Sequence, residues 1–222
     1  MALRERLRSS GAVNHLVHRA TKSLGGISRD EDVFTEEYFR MVEQTTSQSA
    51  SVIAGSIVQD LKPKRVVDVG CGTGVLLERL RDHGVEVMGL EYNEIALRIC
   101  TGRSLDARRF DIEHDPIISF AEAEVAVCFE VGNLIAESAA DRCVEILSSV
   151  SRAVVFSAGA PGQGGVHVRN EQPQEYWIAK FQARGFAFDS ELSQKWRSHW
   201  KARNIAPWFS KNVIVLKRRQ RI

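Results

Sequence analysis

Residues 66–74 read VVDVGCGTG, a β-branched run carrying one acid, Asp68, that opens into a turn where glycine recurs at 70, 72 and 74. The apolar run reads as a strand buried on both faces. The alternating glycines leave backbone without Cβ atoms, so a ligand can lie against the main chain. Two ligand classes use a glycine turn of this kind. Dinucleotides ask for GxGxxG, whose third glycine packs the helix on the strand and seats the pyrophosphate at the helix N-terminus. Here that third position is Val75. The tighter GxGxG turn, with the Asp68 carboxylate just before it, suits a cationic amino-acid moiety better than a pyrophosphate.

Acids farther along agree. Glu91 closes the apolar run VEVMGLE, 23 residues after Asp68, where a carboxylate can accept from both ribose hydroxyls. Asp111 follows a third short run, with Phe110 and Ile112 beside it to cover a ring and an acceptor for an adenine amino group. Three acids at three successive strand ends describe a nucleoside with an amino-acid tail. The cofactor-binding candidates are therefore Asp68, Gly70, Cys71, Gly72, Gly74, Glu91, Tyr92, Asp111, Ile112 and, at the end of the fourth run, Glu130.

Strands alternate with helical segments throughout. Thr35 to Leu61 reads as one or two helices, with acids in the first turn and Pro63 just beyond. RVVDVG is a strand, VLLERLRDHG a helix, VEVMGLE a strand, EIALRICTG a helix and ARRFDI a third strand. AEVAVCFEV, SAADRCVEILSSV and RAVVFSAGA continue as strand, helix and strand. A long loop, APGQGGVHVRNEQPQ, leads to the helix EYWIAKFQARG, the short strand FAFDSEL, a tryptophan-rich stretch and a final strand, KNVIVLK. This alternation is the mark of an α/β, doubly wound, mostly parallel sheet with helices on both faces. The domain reading is a basic extension over residues 1–30 and one domain over 31–222. That domain divides into a helical cap (31–62), a ligand-binding core (63–217) and a basic tail (218–222).

The chain has 222 residues, 44% hydrophobic and 26% charged, and no apolar run approaches the ~20 residues of a membrane span. Its net charge of +2 is uneven: residues 1–29 carry six basic residues against Glu5 alone, and KRRQRI near the end adds four. Such ends attract anionic partners or are simply solvated. Cys71, Cys100, Cys128 and Cys143 form no CxxC pair and have apolar flanks, which fits reduced thiols in a cytoplasmic protein and no metal site.

Through VVDVGCGTG, LEYN, FDIE and CFEV, in that order and spacing, residues 35–217 resemble the class I S-adenosylmethionine (SAM)-dependent methyltransferases. The resemblance implies a Rossmann-like seven-stranded sheet with an antiparallel last strand. It also implies SAM as cofactor and S-adenosylhomocysteine as product, with Asp68 and the glycines on the methionine part, Glu91 on the ribose and Asp111 on the adenine. The loop FSAGAPGQGGVHVRNEQ is similar to that of a group of small bacterial methyltransferases with a PGQGG-HV-NEQ pattern. Their fourth strand often ends in EVAEH, as in quinone-biosynthesis O-methyltransferases. This chain has EVGNL, so Asn133 and Leu134 stand where that acid–histidine pair would be.

The expected acceptor is a small molecule, methylated at oxygen rather than nitrogen. An alcohol needs a positioned base and an acidic phenol does not. The catalytic candidates are His167 and Glu171, and the substrate candidates Asn133, Asn170 and Trp177. The alternative for His167 is a hydrogen-bonded loop residue, for Glu171 a helix cap, and for Trp177, at helical spacing from Phe181, core packing. CFEVGN has no D/N-P-P-Y/F turn, and neither Cys128 nor Cys143 follows a proline, which counts against a nucleic-acid methyltransferase. The remaining alternative is a regulatory protein that binds SAM without catalysis.

Overall fold

The structure is a computed structural model that describes residues 34–117 and 123–219. The basic extension read over 1–30, the first residues of the 31–62 cap and the last three of the 218–222 tail lie outside the described residues.

A single 26-residue helix, α1 (Glu36–Leu61), fills the region where one or two helices were expected. Thr35 starts it: its Oγ1 accepts from the Tyr38 N–H, and Glu36 and Glu37 face the positive end of the helix dipole. Lys62 ends it in the left-handed conformation, one residue before Pro63.

The core then runs β1 (Arg65–Val69), α2 (Val75–Asp82), β2 (Glu86–Glu91), α3 (Glu94–Gly102), β3 (Ala107–Arg109), β4 (Ala123–Phe129) and α4 (Ala140–Val150). It continues with β5 (Ser151–Ser157), α5 (Gln174–Ala183), β6 (Phe186–Phe188), α6 (Ser190–Ala202), α7 (Pro207–Asn212) and β7 (Ile214–Arg218). The seven strands form one sheet in the order β3-β2-β1-β4-β5-β7-β6. The first five are parallel, and β7 is antiparallel to both β5 and β6, as the resemblance implied. The chain winds outward in both directions from β1 and β4. The glycine turn after β1 therefore lies at the switch point where an open α/β sheet leaves a crevice.

Alternate strand residues serve opposite faces. Val67, Val69, Cys128, Val154 and Phe156 pack with α4 and α5, burying Ile146, Leu147, Trp177 and Phe181. Val66, Val125, Val127, Val155 and Val215 pack with Ile53, Ala54 and Ile57 of α1, Leu80 of α2, and Trp196 and Trp200 of α6.

Three segments differ from expectation: ARRFDI is a strand only over Ala107–Arg109, which leaves Asp111 in the turn beyond β3, and two more lie toward the C-terminal side. FAFDSEL is a strand only to Phe188, because the Asp189 side chain accepts from the Leu192 N–H and starts α6 at once. The tryptophan-rich stretch forms α6 and α7. Trp196 and Trp200 stack with ring centroids 5.5 Å apart, and each indole N–H reaches α1, Trp196 to Asp60 Oδ2 at 2.7 Å and Trp200 to Ser56 Oγ at 2.9 Å. These two side chains bolt α1 to the sheet. Trp200→Ala, which removes a wholly buried indole, should lower unfolding free energy by about 3–5 kcal/mol in urea titrations followed by circular dichroism.

Candidate functional site

A cavity of about 1010 Å³ opens at the carboxyl ends of the parallel strands. Its floor is the turn after β1, the ends of β2 and β4, and the segment after β3. Phe34 and the first half of α1 close one side, the loop after β5 another, and α7 a third.

The glycine turn is fastened from beneath. Gly70 and Cys71 N–H both donate to the Leu90 carbonyl, at 2.7 and 3.2 Å. Gly70 (φ +79°) has Val131 so close that a Cβ would lie 2.3 Å from its Cγ2. Gly72 (φ +53°) faces the cavity with nothing within 4 Å of where a Cβ would be, so bare backbone is presented to a ligand there. Gly74 differs from expectation. It caps α2 at φ +76°, and a Cβ would meet Leu105 at 2.5 Å, so it shapes the turn without lining the cavity.

Two carboxylates sit buried side by side at this turn. Asp68 is 4% exposed, lines the cavity and receives no side-chain hydrogen bond among the described residues. Burial, and then the neighbouring Glu91 charge, push its pKa up to about 8. Glu91 is 7% exposed and holds three backbone N–H groups, Gly72 on Oε2 and Tyr92 and Asn93 on Oε1, each at 2.9 Å. Burial raises its pKa against the pull of those donors. A carboxylate has about four acceptor sites, so Glu91 keeps room for one further donor rather than the two expected of a ribose.

Beyond Glu91, half-exposed Tyr92 and buried Phe110 and Ile112 line the wall. Asp111 accepts from Glu113 N–H at 2.8 Å and pairs with His114 Nδ1 at 2.9 Å. Burial would raise its pKa, but these partners outweigh it and hold the carboxyl low. It thus remains charged on the cavity wall.

The same segment carries a clasp that sequence spacing does not reveal. Arg103 of the α3 cap pairs with Glu43 of α1 at 2.5 Å and donates to the Thr73 carbonyl at 3.0 Å, while the Thr73 hydroxyl donates to Glu43 at 3.2 Å. The cap helix is thereby tied to the glycine turn.

Among the residues expected to serve an acceptor, the structure separates wall from support. His167 lines the cavity at φ +58°, its ring edge-on to Phe34 with centroids 6.0 Å apart. Glu171 does not line it: its carboxylate accepts from Gly162 and Gly164 N–H at 2.8 and 2.5 Å, folding the glycine loop. Asn170 is buried behind the wall and donates to the Gly132 carbonyl. Trp177 is core, its ring centroid 4.9 Å from that of Phe156, because its place on α5 turns it onto the sheet. Of the four tryptophans, only Trp208 reaches the cavity. Asn133, 5% exposed, does line it, and its enclosed Oδ1 has no hydrogen-bond partner among the described residues.

Glu130 lines the cavity and is also hydrogen-bonded to its surroundings. It ends β4 at φ +57°, a conformation that costs a non-glycine residue energy. Its Oε1 accepts from the Ser157 hydroxyl and its Oε2 from Gln163 Nε2, both at 2.8 Å, and Asn212 Nδ2 holds Gln163 Oε1 at 2.6 Å. Gln163 and Asn212 were not singled out from sequence. They lie 49 positions apart, and only the fold brings them together.

The donor set fits a nucleoside with a cationic amino-acid tail. Asp68 is a buried acid with no side-chain hydrogen bond among the described residues, Gly72 is bare backbone beside it, and Glu91 keeps one open acceptor site next to half-apolar walls. Among the described residues, no group of acids, histidines and cysteines could hold a metal ion, and no helix is long and apolar enough to cross a membrane.

The profile of the family described as methionine biosynthesis protein MetW matches residues 52–169. A ubiquinone biosynthesis O-methyltransferase of Hahella chejuensis is 39% identical over 80 residues, 32% of each chain. The corresponding protein of Pseudomonas entomophila is 29% identical over 126 residues, 54% of this chain and 50% of that one. The chain thus spans a third to a half of the length of these curated relatives. Among solved structures, the sugar N-methyltransferase KedS8 of Streptoalloteichus superposes with a TM-score of 0.66 at 12% identity, covering 89% of this chain and 96% of that one. The magnesium protoporphyrin IX methyltransferase of Synechocystis, solved with S-adenosylhomocysteine, gives 0.60 at 14% identity, covering 93% and 96%. At these identities the likeness is one of fold, and the fold is that of the class I methyltransferases.

The raised pKa of Asp68 has a consequence for stability. The folded chain keeps a proton up to about pH 8 that an ordinary aspartate gives up near 3.8, so this group costs the fold stability as pH rises between those values. Asp68→Asn should therefore melt higher than the parent at pH 8, by about 3 °C or more, with the gap closing toward pH 4 in scanning calorimetry.

Proposed function

This chain belongs to the MetW family, and from that premise we propose that it is a SAM-dependent methyltransferase acting on a small molecule at oxygen. The observation that carries the reading is the buried pair of acids Asp68 and Glu91, flanking the bare backbone of Gly72. SAM supplies a methyl group on a positively charged sulfur. Asp68 would take the ammonium of its amino-acid part, Glu91 a ribose hydroxyl, and Asp111 the adenine amino group, with Tyr92 and Ile112 beside the ring. The glycine loop and α1 would then exclude water from the remainder of the cavity. What this leaves the protein to do is alignment first and deprotonation second.

Oxygen is favoured by the relatives, which carry the name O-methyltransferase, and by the absence of a D/N-P-P-Y/F turn after β4. A second reading, a SAM-binding regulator without turnover, draws support from EVGNL standing in place of the acid–histidine ending. Release of S-adenosylhomocysteine separates the two. The protein is expected to bind SAM and to release that product with at least one member of a panel of hydroxylated acceptors. Binding without product across the panel would favour the regulator.

Glu91→Ala should weaken SAM binding at least about tenfold by isothermal calorimetry, the loss of a hydrogen bond between a charged group and its ligand. Its unfolding transition should stay cooperative. Unchanged affinity would refute the ribose assignment.

A further inference from the structure

The cavity has a second end. Phe129, at the close of β4, meets Phe209 of α7 edge to face with centroids 5.5 Å apart, and Trp208 lies beside Phe209 at 5.9 Å. All three rings are half-buried and line the cavity. They give the cavity an apolar, aromatic stretch of lining beside the end of β4. Beside that stretch Glu130 is the carboxylate on the strand next to β1, whose Asp68 marks the donor end.

Glu130 is held as a tool is held. Ser157 and Gln163 each donate to one of its oxygens, Asn212 fixes Gln163 and adds its own pull on the carboxylate, and with about four acceptor sites the carboxylate still has room for a further donor. The chain also tolerates a left-handed backbone at this residue in order to aim it. A carboxylate needed only to tie a loop would gain nothing from lining a cavity. Burial, resisted by Ser157, Gln163 and Asn212, lifts its pKa to about 7, the range in which a carboxylate accepts protons at neutral pH. The titratable groups on the elements beside it are Asp68 of β1, His167 and Arg169 on the loop after β5, and Lys211 on α7. His167 stands instead against Phe34, and Arg169 is paired with Glu113 at 2.9 Å.

We infer that Glu130 is the catalytic base for an acceptor hydroxyl carried on an aromatic ring, with Gln163 and Asn212 as positioning residues; this rests on the methyl-transfer reading above. The acceptor's O–H bond breaks with its proton passing to Glu130. The oxygen's electron pair forms the bond to the methyl carbon, and the carbon–sulfur pair stays on sulfur as a neutral thioether. Glu130 then returns the proton to solvent. His167 is left to shape the loop over the donor.

Two acceptors of one shape and different acidity test this. At neutral pH catechol keeps its proton, whereas 4-nitrocatechol has largely lost one and needs little base. With full-length protein and SAM, Glu130→Gln should lower kcat on catechol about 100-fold or more and on 4-nitrocatechol less than about tenfold. Affinity for S-adenosylhomocysteine by calorimetry should be unchanged. The parent's kcat/KM on catechol should rise through pH ~7, and the Gln variant should lack that limb. Gln163→Ala, which removes a hydrogen bond to the charged form, should move the limb to higher pH. Infrared titration of the ligand-free protein should show a carboxyl group near pH 7 that is missing from Glu130→Gln.

Equal losses on both acceptors, or full activity of Glu130→Gln, would overturn the base assignment. A parent that methylates aliphatic alcohols but neither catechol would overturn the aromatic class. Failure of the methyl-transfer reading looks different, with no SAM binding and no product from any acceptor.

Discussion

Two carboxylates that cannot both be comfortable hold the key to this structure. Asp68 and Glu91 end neighbouring parallel strands, are buried to within a few per cent, and repel one another through a region that water does not screen. Glu91 is tolerated because three backbone N–H groups reach it, and those groups are the very ones that shape the glycine turn and the start of α3. Asp68 has no such relief among the described residues. The turn and the strand ends leave this buried acid facing the cavity.

From this pair outward, the cavity divides by chemistry. One part of it, lined by acids and bare backbone, is floored by β1 and β2 and flanked by α1. The Glu43, Arg103 and Thr73 clasp links that helix directly to the glycine turn, so the cap and the cradle are one mechanical unit. The other part is aromatic and is built by β4 and α7, with Glu130 braced between them. The two tryptophans on α6 serve neither part directly. They fix α1 against the sheet, and that fixes the flank.

Much of this was readable in advance because it is local. A glycine that must turn and an acid at a strand end leave marks within a few residues, and the alternation of strands and helices follows from which faces are buried. Thr35 as helix start, Asp68, Glu91, Asp111 and the antiparallel last strand belong to that class. Where the sequence left a role open, competition between neighbours decides it in the fold. Gly74 belongs to the motif but serves the packing of Leu105. Glu171 lies in the functional loop, yet two loop amides claim its carboxylate. Trp177 is one helical turn from Phe181 and follows it into the core.

The sequence by itself determined the fold class and the places of Asp68, Glu91 and Asp111 at or just beyond the ends of successive strands, because each depends on spacing along one strand–turn–helix unit. Only the tertiary structure decided what Glu130 is. Its partners come from β5, from the loop 33 residues on and from a helix near the end of the chain, and no periodicity relates them. A carboxylate becomes a base or a brace through the donors, the burial and the open space around it, and those are properties of a place in the fold rather than of a position in the chain.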